Sequence, residues 1–91
     1  MINRLLNDNE ISVTILSKKR YEEITKGIKP QIKGKSDYEE YWLLEELPRN
    51  KEFYVIEDFY RSYDNGGDEW RFSIATTYKG MYFIISAYGG N

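Results

Sequence analysis

The stretch from Glu69 to Tyr88 alternates large apolar side chains with smaller or polar ones on both sides of a Lys79-Gly80 step. A period of two residues is typical of a strand that buries one face. The step is short and includes a residue that tolerates positive φ, so it predicts a tight hairpin. With a two-residue turn, large residues meet smaller ones on a single face. The expected cross-strand pairs are Tyr78–Met81, Thr76–Phe83, Ile74–Ile85 and Phe72–Ala87.

Two further strands are predicted upstream of this hairpin. Residues Glu10–Leu16 alternate around three β-branched apolar side chains, which favours a strand with one buried face. A second run, Phe53–Tyr60 within residues 51–63, is followed by the turn residues Asp64–Gly67. The last three strands should therefore form an antiparallel meander, and the N-terminal strand should join an edge of it or pair beside its central strand.

The pairing of Phe53–Tyr60 with the next strand depends on the length of the loop between them. A four-residue loop pairs Phe59 with Phe72 and brings Glu57 opposite Ile74, whereas a five-residue loop brings Asp58 there instead. In either register a carboxylate lies beside apolar residues. Such a group needs a partner or a raised pKa.

A first helix is predicted over Lys18–Lys26. Ser17 is a suitable N-cap, and Tyr21, Ile24 and Ile28 recur at helical spacing. The glycine that follows Lys26 and the proline shortly after it indicate where the helix stops. Residues Lys29–Lys35 are expected to form a basic loop.

A second helix is predicted over Ser36–Leu47. Ser36 and Glu39 have the spacing of a capping box, and Pro48 cannot continue a helix. A rotation of about 100° per residue places Leu43, Leu44 and Leu47 on one side, which we take as the core side.

Together these elements predict one α+β domain over residues 1–91. The expected architecture is a small antiparallel sheet, made of the C-terminal three-stranded meander and the N-terminal strand, with two short helices packed on one face. The other face would carry Tyr82, Ile84 and Tyr88 beside Arg71.

The composition narrows the possible chemistry, because the chain has neither cysteine nor histidine. Disulfides, thiolate metal sites and a thiol nucleophile are excluded, as are the commonest general base and metal ligand. We expect no metal, no cofactor and no enzymatic activity. No apolar run is long enough for a membrane span or a signal peptide, so a cytoplasmic protein without a membrane partner is expected.

Charge is distributed unevenly along the chain. The net charge is −2, but residues 17–35 hold seven Lys or Arg against two Glu, and residues 36–47 hold five Asp or Glu and no cation. The overall negative charge argues against nucleic acid as a partner. The uneven distribution predicts either two solvated faces or a dipolar surface that orients a protein partner.

The predicted binding site combines this acidic segment with its aromatic rings. If the leucines face the core, the opposite side of the second helix presents rings among carboxylates. Two alternatives remain open: the rings face the core, or Trp42 folds under a loop. Acidic groups around aromatic anchors suit a basic surface made for nucleic acid. The predicted partner-binding residues are Tyr38, Glu39, Tyr41, Trp42, Glu45 and Glu46.

The function expected from this site is inhibition of another protein without catalysis. By analogy, small inhibitors of nucleases or of phage-defence complexes and immunity proteins that neutralise toxins act in this way. The chain would be a monomer or a small homo-oligomer.

Two alternatives remain. A self-associating module would use the face of Tyr82, Ile84 and Tyr88. A histidine-free ribonuclease would use Glu57 or Asp58 with Arg61 and Arg71, the carboxylate activating a 2′-hydroxyl and the arginines stabilising the phosphorane.

Overall fold

The computed structural model of the protein describes residues 11–38 and 42–90, and for Trp42 the backbone only. This part of the chain forms a five-stranded antiparallel sheet, one α-helix and one turn of 3-10 helix. In chain order the elements are β1 (Ile11–Leu16), α1 (Lys18–Thr25), β2 (Gln31–Ile32), the 3-10 helix (Trp42–Glu46), β3 (Glu52–Ser62), β4 (Asp68–Tyr78) and β5 (Met81–Gly90). The order of strands across the sheet is β1-β5-β4-β3-β2.

The hairpin of β4 and β5 is confirmed, with the predicted register at all four pairs. Lys79 and Gly80 have φ angles of 49° and 77°, so both central residues of the turn adopt the left-handed conformation. This geometry matches the twist of the strands on either side. The N-terminal strand is also confirmed, because β1 lies antiparallel along the free edge of β5.

The first helix begins and ends as predicted. The Ser17 hydroxyl accepts a hydrogen bond from the Arg20 amide at 3.1 Å, and Gly27 has a φ of 79° after the last turn. The basic segment that follows forms the two-residue edge strand β2, which pairs with Glu52 and Phe53 of β3.

The expectation that both helices cover one face is wrong. Because β5 residues alternate between the faces, Tyr82 lies on the face opposite Phe83. The ring of Tyr21 in α1 packs 5.0 Å from Tyr82 and 6.1 Å from Tyr54, measured between centroids. We call this side of the sheet the outer face. The opposite side, which contains Phe83 and the rest of the buried core, is the core face.

The core face is closed by the segment in which a second α-helix was predicted. Leu43, Leu44 and Leu47 are buried, as predicted, and pack against Phe53 and the other core residues of the sheet. The amide of Leu47 donates to the carbonyl of Leu44 at 3.1 Å. This spacing of three residues is that of a 3-10 helix, which brings residues three apart onto the same side.

The predicted α-helix over Ser36–Leu47 is not confirmed. The Ser36 hydroxyl accepts from the amide of Tyr38, only two residues further on, at 3.2 Å. That bond closes a local turn rather than capping a helix. Glu39, the other half of the predicted capping box, lies outside the described residues.

The pairing of β3 with β4 differs from both predicted registers because β3 contains a β-bulge. Val55 is opposite Ile74 and Glu57 is opposite Ser73, so Ile56 is the extra residue. The bulge moves Glu57 to the outer face. The predicted Phe59–Phe72 pair is therefore wrong.

Beyond the bulge, Phe59 is opposite Arg71, whereas Asp58 is opposite the buried Phe72 and so lies on the core face. Asp58 is exposed there.

Candidate protein-binding surfaces

The acidic segment predicted to bind a partner is partly described. Tyr38 is half-buried, and its ring packs on the core residue Phe72 with 5.9 Å between centroids. Glu45 is exposed and Glu46 is half-buried, beside the leucines of the 3-10 helix. Tyr38 thus contributes to the core and offers only part of its ring to a partner.

The other members of that predicted site, Glu39, Tyr41 and the side chain of Trp42, lie outside the described residues. The leucines face the core as predicted, and the Tyr38 ring, which was expected on the opposite side, also packs against it. The acidic aromatic site stays a prediction.

A second surface lies on the outer face, at the end of the sheet away from α1. We call it the arginine–aromatic cluster and define it by Phe59, Arg61, Tyr63, Arg71 and Tyr88. Arg71 is directly opposite Phe59 on one side and Tyr88 on the other. The bulge in β3 sets the alternation that places Phe59 and Arg61 on this face.

The two guanidinium groups of the cluster share one ring. The Arg71 guanidinium carbon lies 4.5 Å from the centroid of Phe59, and that of Arg61 lies 5.5 Å from the same centroid. Arg61 is also 6.0 Å from the centroid of Tyr63. These distances allow cation–π attraction, which orients both side chains while they stay in contact with solvent.

Two carboxylates contact the residues of the cluster. Glu57 Oε2 lies 3.6 Å from Arg71 Nε, with both side chains nearly half exposed. Glu69 accepts a hydrogen bond from the Tyr63 hydroxyl at 3.2 Å. Exposed ion pairs contribute little to stability, so these contacts mainly fix the positions of the charged groups.

A groove of about 420 Å³ adjoins the cluster, where β4 and β5 extend past the described start of β1. Arg71, Tyr88 and Trp70 are among its lining residues. A Cβ added at Gly89 would lie 2.7 Å from the indole of Trp70, so only glycine lets the ring lie across β5. The groove is large enough for a side chain of a partner protein.

The other end of the outer face is occupied by tyrosines. Burial, followed by the proximity of Tyr54, Glu52 and Tyr82, raises the pKa of Tyr21 to about 12. Because Tyr21 packs on Tyr82, part of the face predicted for self-association is covered by α1. Tyr88, at 53 % exposure, remains accessible at the far end.

Sequence reasoning brought Glu57, Arg61 and Arg71 together only for the ribonuclease alternative. The structure places all three on one face, as that alternative requires, and excludes Asp58 from the set because it points to the core face. The aromatic half of the cluster was missed. Phe59 was expected opposite Phe72, which would have placed it in the core.

Among the helices that the structure describes, none has the length and apolar character needed to cross a membrane. Comparison with known proteins gave no match to a family model, to a curated protein or to a solved structure.

Proposed function

We propose that this protein is a non-enzymatic domain that acts by binding another protein, with the arginine–aromatic cluster as its main anchor. The observation that carries the proposal is the stacking of Arg61 and Arg71 on the single ring of Phe59. Arginine and tyrosine are the residues most often found at the energetic centre of protein interfaces.

The side chains of the cluster also contact one another in the chain alone. Arg71 is fixed by Phe59 and by Glu57, and Tyr63 is fixed by Glu69. Side chains that are already in place lose less conformational entropy on binding, so more of the contact energy appears as affinity.

A finer form of the proposal is inhibition of a partner that has a basic, nucleic-acid-binding surface, as in phage anti-defence or toxin-immunity proteins. It is supported by the charge of residues 36–47 and by the exposure of Glu45 beside the buried Leu44. The described leucines of this segment lie over the core face, whereas the cluster lies on the outer face. The two surfaces can therefore be tested separately.

The test is capture of partners from the native host by tagged protein, with identification by mass spectrometry. We compare the wild type with R61A/R71A for the cluster, E45K/E46K for the acidic segment and K79A as a control in the β4–β5 turn. A protein captured by the wild type and by K79A, but lost with R61A/R71A, supports the cluster as the anchor. Loss only with E45K/E46K transfers the site to the acidic segment.

One observation favours ribonuclease activity as a second candidate function: Glu57 and two arginines share a face, with 3.6 Å between Glu57 Oε2 and Arg71 Nε. Incubation of purified protein with total RNA tests this directly. Cleavage that disappears in E57Q and R71A but persists in K79A would establish it. Intact RNA at micromolar protein would remove it and leave the binding function.

A further inference from the structure

Most of the outer edge of β3 is open in the part of the chain that the structure describes. The short strand β2 pairs only with Glu52 and Phe53, at the start of β3. From Tyr54 to Ser62 no other described strand lies along that edge. An open edge presents a row of backbone donors and acceptors that can pair with another strand.

The side chains along this edge of β3 complement those of a second, antiparallel copy of the same strand. Beyond the bulge, Glu57, Phe59 and Arg61 lie on the outer face at alternate positions. Phe59 is the midpoint, with a negative charge two residues before it and a positive charge two residues after it. A strand of this kind matches a second copy of itself that runs in the opposite direction, as a twofold interface requires.

We propose that two copies of the protein associate edge to edge through antiparallel β3 strands, in the register centred on Phe59. In this register Glu57 of each copy lies opposite Arg61 of the other, and the two Phe59 rings face each other. Opposite charges at directly paired positions stabilise a strand pair. The five strands of each copy then form one continuous sheet.

The neighbouring registers lack this complementarity. Centring the pair on Asp58 places two carboxylates directly opposite each other and pairs Glu57 with Phe59. Centring it on Tyr60 pairs Glu57 with Tyr63 and leaves no ion pair across the interface. The bulge at Ile56 limits regular pairing on one side, so the interface spans residues 57–61 and their immediate neighbours.

The proposed pairing also uses residues that are accessible. Tyr60 is 66 % exposed on the core face and would lie opposite Asp58 of the second copy. Because the twofold axis is perpendicular to the sheet, the outer faces of both copies lie on the same side. The two arginine–aromatic clusters would therefore join into one strip across the interface.

Charge exchange tests the proposal. E57R places arginine opposite arginine twice in each dimer, and R61E places glutamate opposite glutamate twice. Each single variant should raise the dimer dissociation constant by about tenfold or more, whereas E57R/R61E restores opposite charges and should return it towards the wild-type value. Sedimentation equilibrium measures the four constants, for the wild type, the two single variants and the double variant.

The exchange separates this interface from effects within one copy. The contact between Glu57 and Arg71 is lost in E57R and also in E57R/R61E, so recovery in the double variant comes from the pairing between copies. A wild type that is monomeric up to about 1 mM, or single variants that dimerise as the wild type does, would overturn the proposal. The edge would then be open to a strand of another protein.

The register is tested separately by disulfide formation between two copies. Because the natural chain has no cysteine, a single introduced cysteine can bond only to the same residue of the second copy. In F59C the two thiols face each other across the axis, close enough for a disulfide after mild oxidation. D58C and Y60C report the neighbouring registers. Covalent dimer from F59C in clear excess over both supports the proposed register, and an excess from D58C or Y60C contradicts it.

This inference does not depend on the proposed function. Dimerisation is measured on the purified protein alone, and partner capture is measured with R71A, which changes the cluster but leaves Glu57 and Arg61 in place for the pairing between copies. A monomeric protein that still captures its partner would overturn only the dimer, and a dimer that captures nothing would overturn only the binding function.

Discussion

The two faces of the sheet come from the same strands but are covered in different ways. On the core face Phe53, Ile74 and Ile85 are fully buried under the leucines of the 3-10 helix. On the outer face α1 covers one end through Tyr21, and the arginine–aromatic cluster occupies the other. Because side chains alternate along each strand, one face of the sheet closes the domain and half of the other face is left accessible.

The largest expected effect is on the core face. Leu44 is 0 % exposed, so L44A removes buried methyl groups and leaves a cavity, which should lower the free energy of unfolding by about 3 kcal/mol. I84A on the half-buried outer face should cost about 1 kcal/mol. Urea unfolding followed by circular dichroism measures both. Equal losses would contradict the division between the faces.

A smaller effect is expected at high pH, at the end of the outer face that α1 covers. The raised pKa of Tyr21 means that the folded protein holds this proton more tightly than the unfolded chain. The associated stability is complete below pH 10 and is lost as pH rises through about 12.

With allowance for the solvent that reaches the ring, the loss should be about 1 kcal/mol. Y21F should remove this part of the alkaline destabilisation, and Y60F, at an exposed ring, is the control. Unfolding in urea at a series of pH values from 9 upwards tests this. If the free energy of unfolding of Y21F falls with pH as steeply as that of the wild type, Tyr21 is not the source of the alkaline destabilisation.

The next effect is a coupling free energy between two serines in the middle of the outer face, which we expect to be similar to or smaller than the effect of Tyr21. The hydroxyls of Ser73 and Ser86 are 2.8 Å apart across β4 and β5, and Ser73 is buried. A double-mutant cycle of S73A, S86A and both together should give a coupling free energy of about 0.5–1 kcal/mol. Strictly additive losses would mean that the bond contributes nothing beyond its separate groups.

The smallest effect on stability is expected in the arginine–aromatic cluster. R71A removes an exposed ion pair and a cation–π contact, which should change the free energy of unfolding by about 0.5 kcal/mol. Partner capture by the same variant should fall strongly. A loss of stability comparable to that of L44A would assign Arg71 to the fold instead.

The parts of the fold that sequence predicts well are those fixed by local geometry. The β4–β5 register follows from a two-residue turn, which leaves almost no freedom, and α1 follows from Ser17 and Gly27. The segment before Pro48 is harder, because leucines three apart satisfy both an α-helix and a 3-10 helix.

The candidate site was predicted only in fragments, for a related reason. Arg61 and Arg71 are ten positions apart on different strands, and the face that Phe59 and Arg61 occupy depends on the bulge at Ile56. A bulge has no strong sequence signature. Its position is set by long-range pairing, which a periodic pattern within one strand does not contain.

The bulge has an evolutionary consequence. Deletion of one residue inside a strand normally moves every later side chain to the opposite face of the sheet. Ile56 is an exception, because Val55 and Glu57 already oppose the consecutive residues Ile74 and Ser73. We expect a chain lacking Ile56 to keep every later β3 side chain on its present face, so β3 contains a position where the loss of one codon preserves the strand register.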